Sequence, residues 1–188
     1  MLKKGGIMVG VLGRKNQVVV ATTACSLESI YNQYHKNVYN YIAFRINNHH
    51  DAEELANDVF VKAIQGWKGY DHNFPMEGWL IGIAKNVVTD YLRKTMRRKI
   101  LPFDSILELI SADRQPEEVV VINEESKNLM AAMVKLRDKE RQILSMKFAT
   151  ELKHSEIAAI LNISESHVGV TAYRAMNKLK KLMEEDAI

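Results

Sequence analysis

At 188 residues, with 47% hydrophobic and 26% charged side chains, the chain can fill two small cores and is too apolar to be disordered throughout. Only 9 glycines and 3 prolines, among abundant Leu, Ile, Ala, Lys and Glu, favour helix over strand. A net charge of +3 is too small to establish nucleic-acid binding, so the placement of charge must carry that question. The single cysteine, Cys25, excludes an intramolecular disulfide and suits a reducing compartment, and no apolar run approaches a membrane span.

Residues 1–25 form an N-terminal extension, expected to be disordered or hairpin-like, with Met8 an alternative start. Lys3-Lys4 and Ala24-Cys25 faintly suggest a lipoprotein leader, but Arg14 to Gln17 interrupt the apolar stretch. Ser26 is a plausible N-cap for a first helix, whose apolar positions run from Leu27 through Tyr34, Val38, Tyr41 and Ile42 to about Ile46. After the polar break at Asn47 to His50, a second helix begins at Asp51, with Glu54 three residues on as a capping-box partner. Its buried stripe is Ala52, Leu55, Ala56, Val59, Phe60, Ala63 and Trp67, which leaves Glu54, Asn57, Asp58 and Val61 outside. A loop over Gly69 to Asn73 leads to Pro75, suited to a first helical turn. The third helix runs from about Pro75 to Lys99, and five of its last seven residues are cations.

The segment 100–123 holds one base, Arg114, against five acids and carries Pro102 and Pro116. It reads as a flexible acidic linker, with a short helix expected around Ser105 to Ile110. From Glu124 a second helical block begins. The fold class expected is therefore all-α: two small helical domains, 26–99 and 124–185, joined by that linker.

The densest local pattern lies between Lys153 and Leu182. Ile157, Ala158 and Leu161 make one amphipathic helix, Asn162 sits where the chain needs left-handed geometry, and Ile163 plugs the turn. Ser164 is placed to cap a following helix that Val168 anchors. Small Ala158 permits close crossing, so the pair reads as a helix-turn-helix presenting its second helix to a major groove. Arg174, Lys178, Lys180 and Lys181 stand ready for phosphates. An ordinary helical hairpin with a solvated basic face has the same pattern, so this motif alone leaves both readings open.

The first block narrows the choice. Asp51-Ala52-Glu53-Glu54-Leu55-Ala56-Asn57-Asp58-Val59-Phe60 resembles a stretch of the extracytoplasmic-function (ECF) RNA polymerase sigma factors. Phe74, Trp79-Leu80, Ile83-Ala84, Asn86 and Asp90-Tyr91-Leu92-Arg93-Lys94 resemble the helix that follows it in that family. Leu136, Arg141, Ile143-Leu144, Glu156-Ile157-Ala158 and Ile163 to Leu179 resemble its second domain. The resemblance covers about Leu27 to Met183 in the family's order.

It implies an alternative sigma factor that binds core RNA polymerase and promoter DNA, needs no cofactor or metal, and works in the cytoplasm. By the same resemblance Asp51, Glu54, Asn57 and Asp58 dock on the polymerase, although Asp51 and Glu53 equally suit the helix dipole. Tyr70, Asp71, His72, Asn73, Phe74 and Asn86 receive a flipped base of the −10 element, Asn offering both donor and acceptor. Arg93, Lys94, Arg97, Arg98 and Lys99 hold the backbone, while Gly82 stands where a base is common. Trp79 belongs to the apolar stripe rather than to a stacking platform. Ser166, His167, Thr171, Arg174 and Lys178 read the −35 element. Gly169, Val170 and Thr171 replace the usual Lys, Ser and Arg, and Lys153 replaces the usual capping Ser or Thr. An anti-sigma factor is implied as a further partner. A helix-turn-helix regulator acting without a sigma role is the alternative. Six histidines without ligand spacing, and no phosphate loop or nucleophile motif, argue against an enzyme.

Overall fold

In the computed structural model, residues 15–98 and 124–185 are described, and side chains from Glu28 to Met96 and from Asn128 to Glu185. They form seven α-helices and one short 3-10 turn, with no strand among them: α1 (Lys15–Ile46), α2 (His49–Gly66), the turn Trp67–Gly69, α3 (Met76–Arg98), α4 (Glu124–Val134), α5 (Asp138–Ala149), α6 (His154–Leu161) and α7 (Glu165–Glu185). The expected all-α architecture is present. The acidic linker, its suggested short helix and Lys99 lie outside the described residues.

Two boundaries differ from expectation. The first helix starts at Lys15, so Ser26 lies inside it and residues 15–25 are helical. No Gly or Pro between Asn16 and Ser26 interrupts the backbone, so nothing local stops the helix at Ser26. The second helix starts at His49, because Asn48 and not Asp51 is its cap: the Asn48 Oδ1 accepts from the Asp51 backbone N–H at 3.2 Å. Asn47, at φ 54°, takes the left-handed turn that reverses the chain. Two residues suffice for the connection, which makes α1 and α2 antiparallel neighbours.

The first core is built where α1, α2 and α3 meet. Val38, Tyr41 and Ile42 from α1, Val59 and Phe60 from α2, and Leu80, Ile81, Ala84 and Val88 from α3 are buried. Each fully buried Ile, Leu or Val stabilises by about 1.5–3 kcal/mol relative to an exposed one. Ala52, Ala56 and Ala63 are buried too, and their small size lets α2 approach its neighbours closely. A second core of Ala132, Met133, Leu136, Leu144, Ala175 and Leu179 joins α4, α5 and α7.

The two units are not separate bodies on a string. α5 packs along α1, and α6 packs against α3. Ile143, Met146 and Ala149 of α5 and Ile157 of α6 extend the first core without a break. Phe44 and Phe148 meet across this seam with ring centroids 6.0 Å apart.

Candidate nucleic-acid and partner interfaces

The outer face of α2 carries Glu54, Asn57 and Asp58, all exposed, with Val61 and Ile64 continuing it at helical spacing and about half exposed. Asp51 does not share this freedom. Its Oδ2 accepts from Asn48 Nδ2 at 3.0 Å and from the Tyr91 hydroxyl of α3, so it ties the start of α2 to α3. Asn57 accepts a 3.3 Å bond from Tyr31, and Glu54 faces His50 at 3.6 Å, both on the surface. Ile64 was missed from sequence; its spacing from Asn57 and Val61 was the available signal.

The loop before α3 is locally rigid. Asp71 Oδ1 accepts from the backbone N–H and the side-chain amide of Asn73, both at 2.9 Å, and the Phe74 N–H donates to the Asp71 carbonyl at 3.0 Å. The Tyr70 hydroxyl donates to the Phe74 carbonyl at 2.7 Å. Burial, then Tyr34 and the Asp71 carboxylate, raise the Tyr70 pKa, so the phenol keeps that proton. Tyr70 also packs against Trp79 and His72, each with centroids 4.8 Å away, and Trp67 closes the aromatic group. Phe74 lies so close over Gly78 that a Cβ there would come within 2.6 Å of its ring. That glycine is what lets the ring cross the start of α3.

Phe74, Trp79, Gly82, Ile83, Lys85 and Asn86 line one side of an open cleft of about 390 Å³. Trp79 is half-buried; it packs on Trp67 and Tyr70 and also lines the cleft. Asn86 is exposed beside it. Tyr70, Asp71, His72 and Asn73 sit at the entrance to α3 and do not line the cleft. Arg93 and Lys94 are exposed further along α3, Arg93 paired with Asp90 at 2.9 Å. Arg97 and Arg98 close the helix. Lys85, not singled out from sequence, points its ammonium into the cleft region and donates to the Ile160 carbonyl at 3.1 Å.

The second unit folds as the helix-turn-helix requires. Asn162 is left-handed, at φ 53° and ψ 51°, and the Ile163 N–H reaches the Ala158 carbonyl at 3.1 Å. Lys153 caps α6 without using its side chain; the Glu156 carboxylate accepts from its backbone N–H at 2.7 Å instead. The Ser164 Oγ accepts from the His167 N–H at 3.2 Å and so caps α7. Val168 is fully buried and anchors α7.

Ser166, His167 and Arg174 are exposed on α7, and Thr171 is half-buried. Val170 and Tyr173 join that face, Tyr173 at 70% exposure. Lys178 turns the other way and pairs with Glu140 of α5 at 3.3 Å. Burial pushes the Glu140 carboxyl up, but the Arg137 N–H and Lys178 outweigh it and hold its pKa below the usual value. Among the described residues no group of three His, Cys, Asp or Glu could hold a metal, and no helix is long and apolar enough to cross a membrane.

The profile of sigma-70 region 2 matches residues 30–98, and that of sigma-70 region 4 matches residues 126–179. The RNA polymerase sigma factor YlaC of Bacillus subtilis is 31% identical over 159 residues, which span 84% of this chain and 92% of that one. The ECF RNA polymerase sigma factor SigM of the same organism is 31% identical over 158 residues, 84% and 94% of the two chains. Among solved structures, the Bartonella quintana sigma factor RpoE, in complex with the anti-sigma factor NepR, superposes with a TM-score of 0.66 at 18% identity over 88% of this chain and 98% of that one. CnrH, in complex with the cytosolic domain of CnrY, gives 0.60 at 21% identity over 89% and 97%.

Proposed function

The chain belongs to the ECF RNA polymerase sigma factors, and from that premise we propose how its surfaces divide the work of promoter recognition and transcription initiation. The outer face of α2 docks on core polymerase. The observation that carries this reading is the mixed patch of Glu54, Asn57, Asp58, Val61 and Ile64, exposed on a helix whose other side is fully committed to the core. Carboxylates steer a basic partner helix, and the two aliphatic side chains supply area that only a partner can cover. Asp51 serves the fold, by its bonds to Asn48 and Tyr91.

The cleft side of α3 reads the −10 element. Asn86 presents an amide to a base edge, Phe74 and Trp79 offer aromatic surface to a base taken out of its stack, and Arg93, Lys94, Arg97, Arg98 and Lys99 hold phosphates. Tyr70 to Asn73 act by shaping the loop that holds Phe74. On α7, Ser166, His167, Thr171 and Arg174 face −35 DNA, with Val170 and Tyr173 adding apolar contact suited to thymine methyls. Lys178 belongs to the α5–α7 contact. The factor binds and opens DNA without covalent chemistry of its own, needs no cofactor, and acts in the cytoplasm beside the polymerase. An anti-sigma factor is a further partner, as NepR is for RpoE in their solved complex.

The docking face is tested by competition for core polymerase against another sigma factor. Glu54→Lys with Asp58→Lys should lower the chain's share of polymerase while leaving its helical circular dichroism intact. Unchanged competition would remove α2 from the interface.

A further inference from the structure

On α7 the inward side is set by Val168, Ala175 and Leu179, which are buried. The opposite side exposes Ser166, His167, Val170, Tyr173 and Arg174. Val170 stands at the middle of this face, because the other four lie three or four residues from it in either direction. It is 47% exposed, and its chain neighbours do not cover it. Gly169 has no side chain and turns toward the His154 ring, and Thr171 is half-buried. The polar groups of the face therefore surround an aliphatic centre, and Arg174 is the one permanent cation among the five.

Gly169 and Val170 both cost helix propensity relative to Ala, Lys or Gln, and a half-exposed valine gains little from the fold in return. A local rule is broken at the centre of the face assigned to DNA, which is where such breaches mark function. What a valine can read there follows from the base edges. Guanine, adenine and cytosine present only hydrogen-bonding groups in the major groove, whereas thymine presents a 5-methyl group beside its O4. A valine pressed on any of the first three strands a dehydrated donor or acceptor. Against the thymine methyl it removes apolar surface from water on both sides. Its branched side chain also holds one rotamer in a helix, so the contact is preformed.

We propose that the centre of this factor's −35 element is thymine, recognised through its 5-methyl group by Val170, with Ser166, His167, Tyr173 and Arg174 on the flanking positions. The proposal rests on the assignment of α7 to −35 DNA and names the base which that assignment leaves open. The contact is uncharged, so it supplies a sequence preference that does not fade with salt.

The test uses polymerase reconstituted with the full chain. This holoenzyme selects from duplexes randomised along their length, and the enriched promoters define the upstream block it reads. Each thymine of the block is then replaced singly by uracil, which removes the methyl group and keeps every hydrogen-bonding group. At one thymine, or two adjacent ones, uracil should lower affinity about fourfold, the worth of one buried methyl group, equally at low and high salt. With Val170→Ala, thymine and uracil should bind alike at that position. Ala is the better helix former and the site is half-exposed, so this variant keeps its fold. Arg174→Ala should weaken binding to the block and keep the fourfold uracil penalty.

A block without thymine, or uracil tolerated throughout the block while Arg174→Ala still weakens binding, would overturn the methyl reading and leave α7 on −35 DNA. A uracil penalty unchanged by Val170→Ala would take the role from Val170 and overturn the proposal in the same way. If neither Val170→Ala nor Arg174→Ala changes binding to the block, α7 does not lie on it, and the −35 assignment falls together with the proposal.

Discussion

Gly169 is the residue of α7 at which charge and helix propensity can be separated by substitution. A Cβ there would meet only the His154 ring, at 3.7 Å from Nδ1 and 3.9 Å from Cε1, which is ordinary contact. The site accepts a side chain, and the glycine weakens a 21-residue helix for no gain in packing. Replacing it with Lys or Gln, both good helix formers, should stabilise the chain by about 0.5–0.8 kcal/mol. Only Lys adds a phosphate contact, which should steepen the fall of log affinity with log salt by about 0.9. Denaturant melts of wild type, Gly169→Lys and Gly169→Gln measure the first quantity. Titration of duplex DNA at several salt concentrations measures the second. The two variants should share the stability gain and differ in salt slope. If Gly169→Gln steepens the slope as much as Gly169→Lys does, or if neither variant is stabilised, the account of this helix is wrong.

Two further outcomes follow from the sites. Asn86→Ala should relax selectivity at one −10 position by about 1–3 kcal/mol, whereas Lys94→Ala should weaken binding to every sequence and flatten the salt dependence; matching behaviour in a panel of single-base promoter variants would refute the base-reading role. Glu140 has a folded pKa below its usual 4.5, so its bonds to Lys178 and the Arg137 N–H contribute fully above pH 4.5 and are lost as the pH falls through the lower folded value. Glu140→Gln should therefore cost about 1 kcal/mol in denaturant melts near pH 7 and progressively less as the pH falls below 4.5, and a cost independent of pH would contradict the assignment.

The order of helices, the helix-turn-helix and the buried stripes were legible before any coordinates, because each rests on interactions within a few residues. Asn162 is the clearest instance: an amide residue between two amphipathic runs is a local signal for a left-handed turn, and it adopts one. Ser164 likewise caps the helix it precedes. The same locality explains the misplaced starts. Ser26 and Asp51 both have the chemistry of helix starts, but nothing upstream stopped α1 at Ser26, and Asn48 lay nearer the turn than Asp51.

Side-chain commitments across helices were not legible, since a sequence does not state which distant partner reaches a charge first. Asp51 and Lys178 read as surface groups until Tyr91 and Glu140 met them from 40 and 38 residues away. Arg45, near the end of α1, carries no local mark of burial, and it is buried against a residue 93 positions on. Periodicity and capping determine which face of each helix is apolar. Which apolar faces find each other, and which charges are caught between them, depends on the packing of α5 on α1 and α6 on α3, and only the tertiary structure decided that.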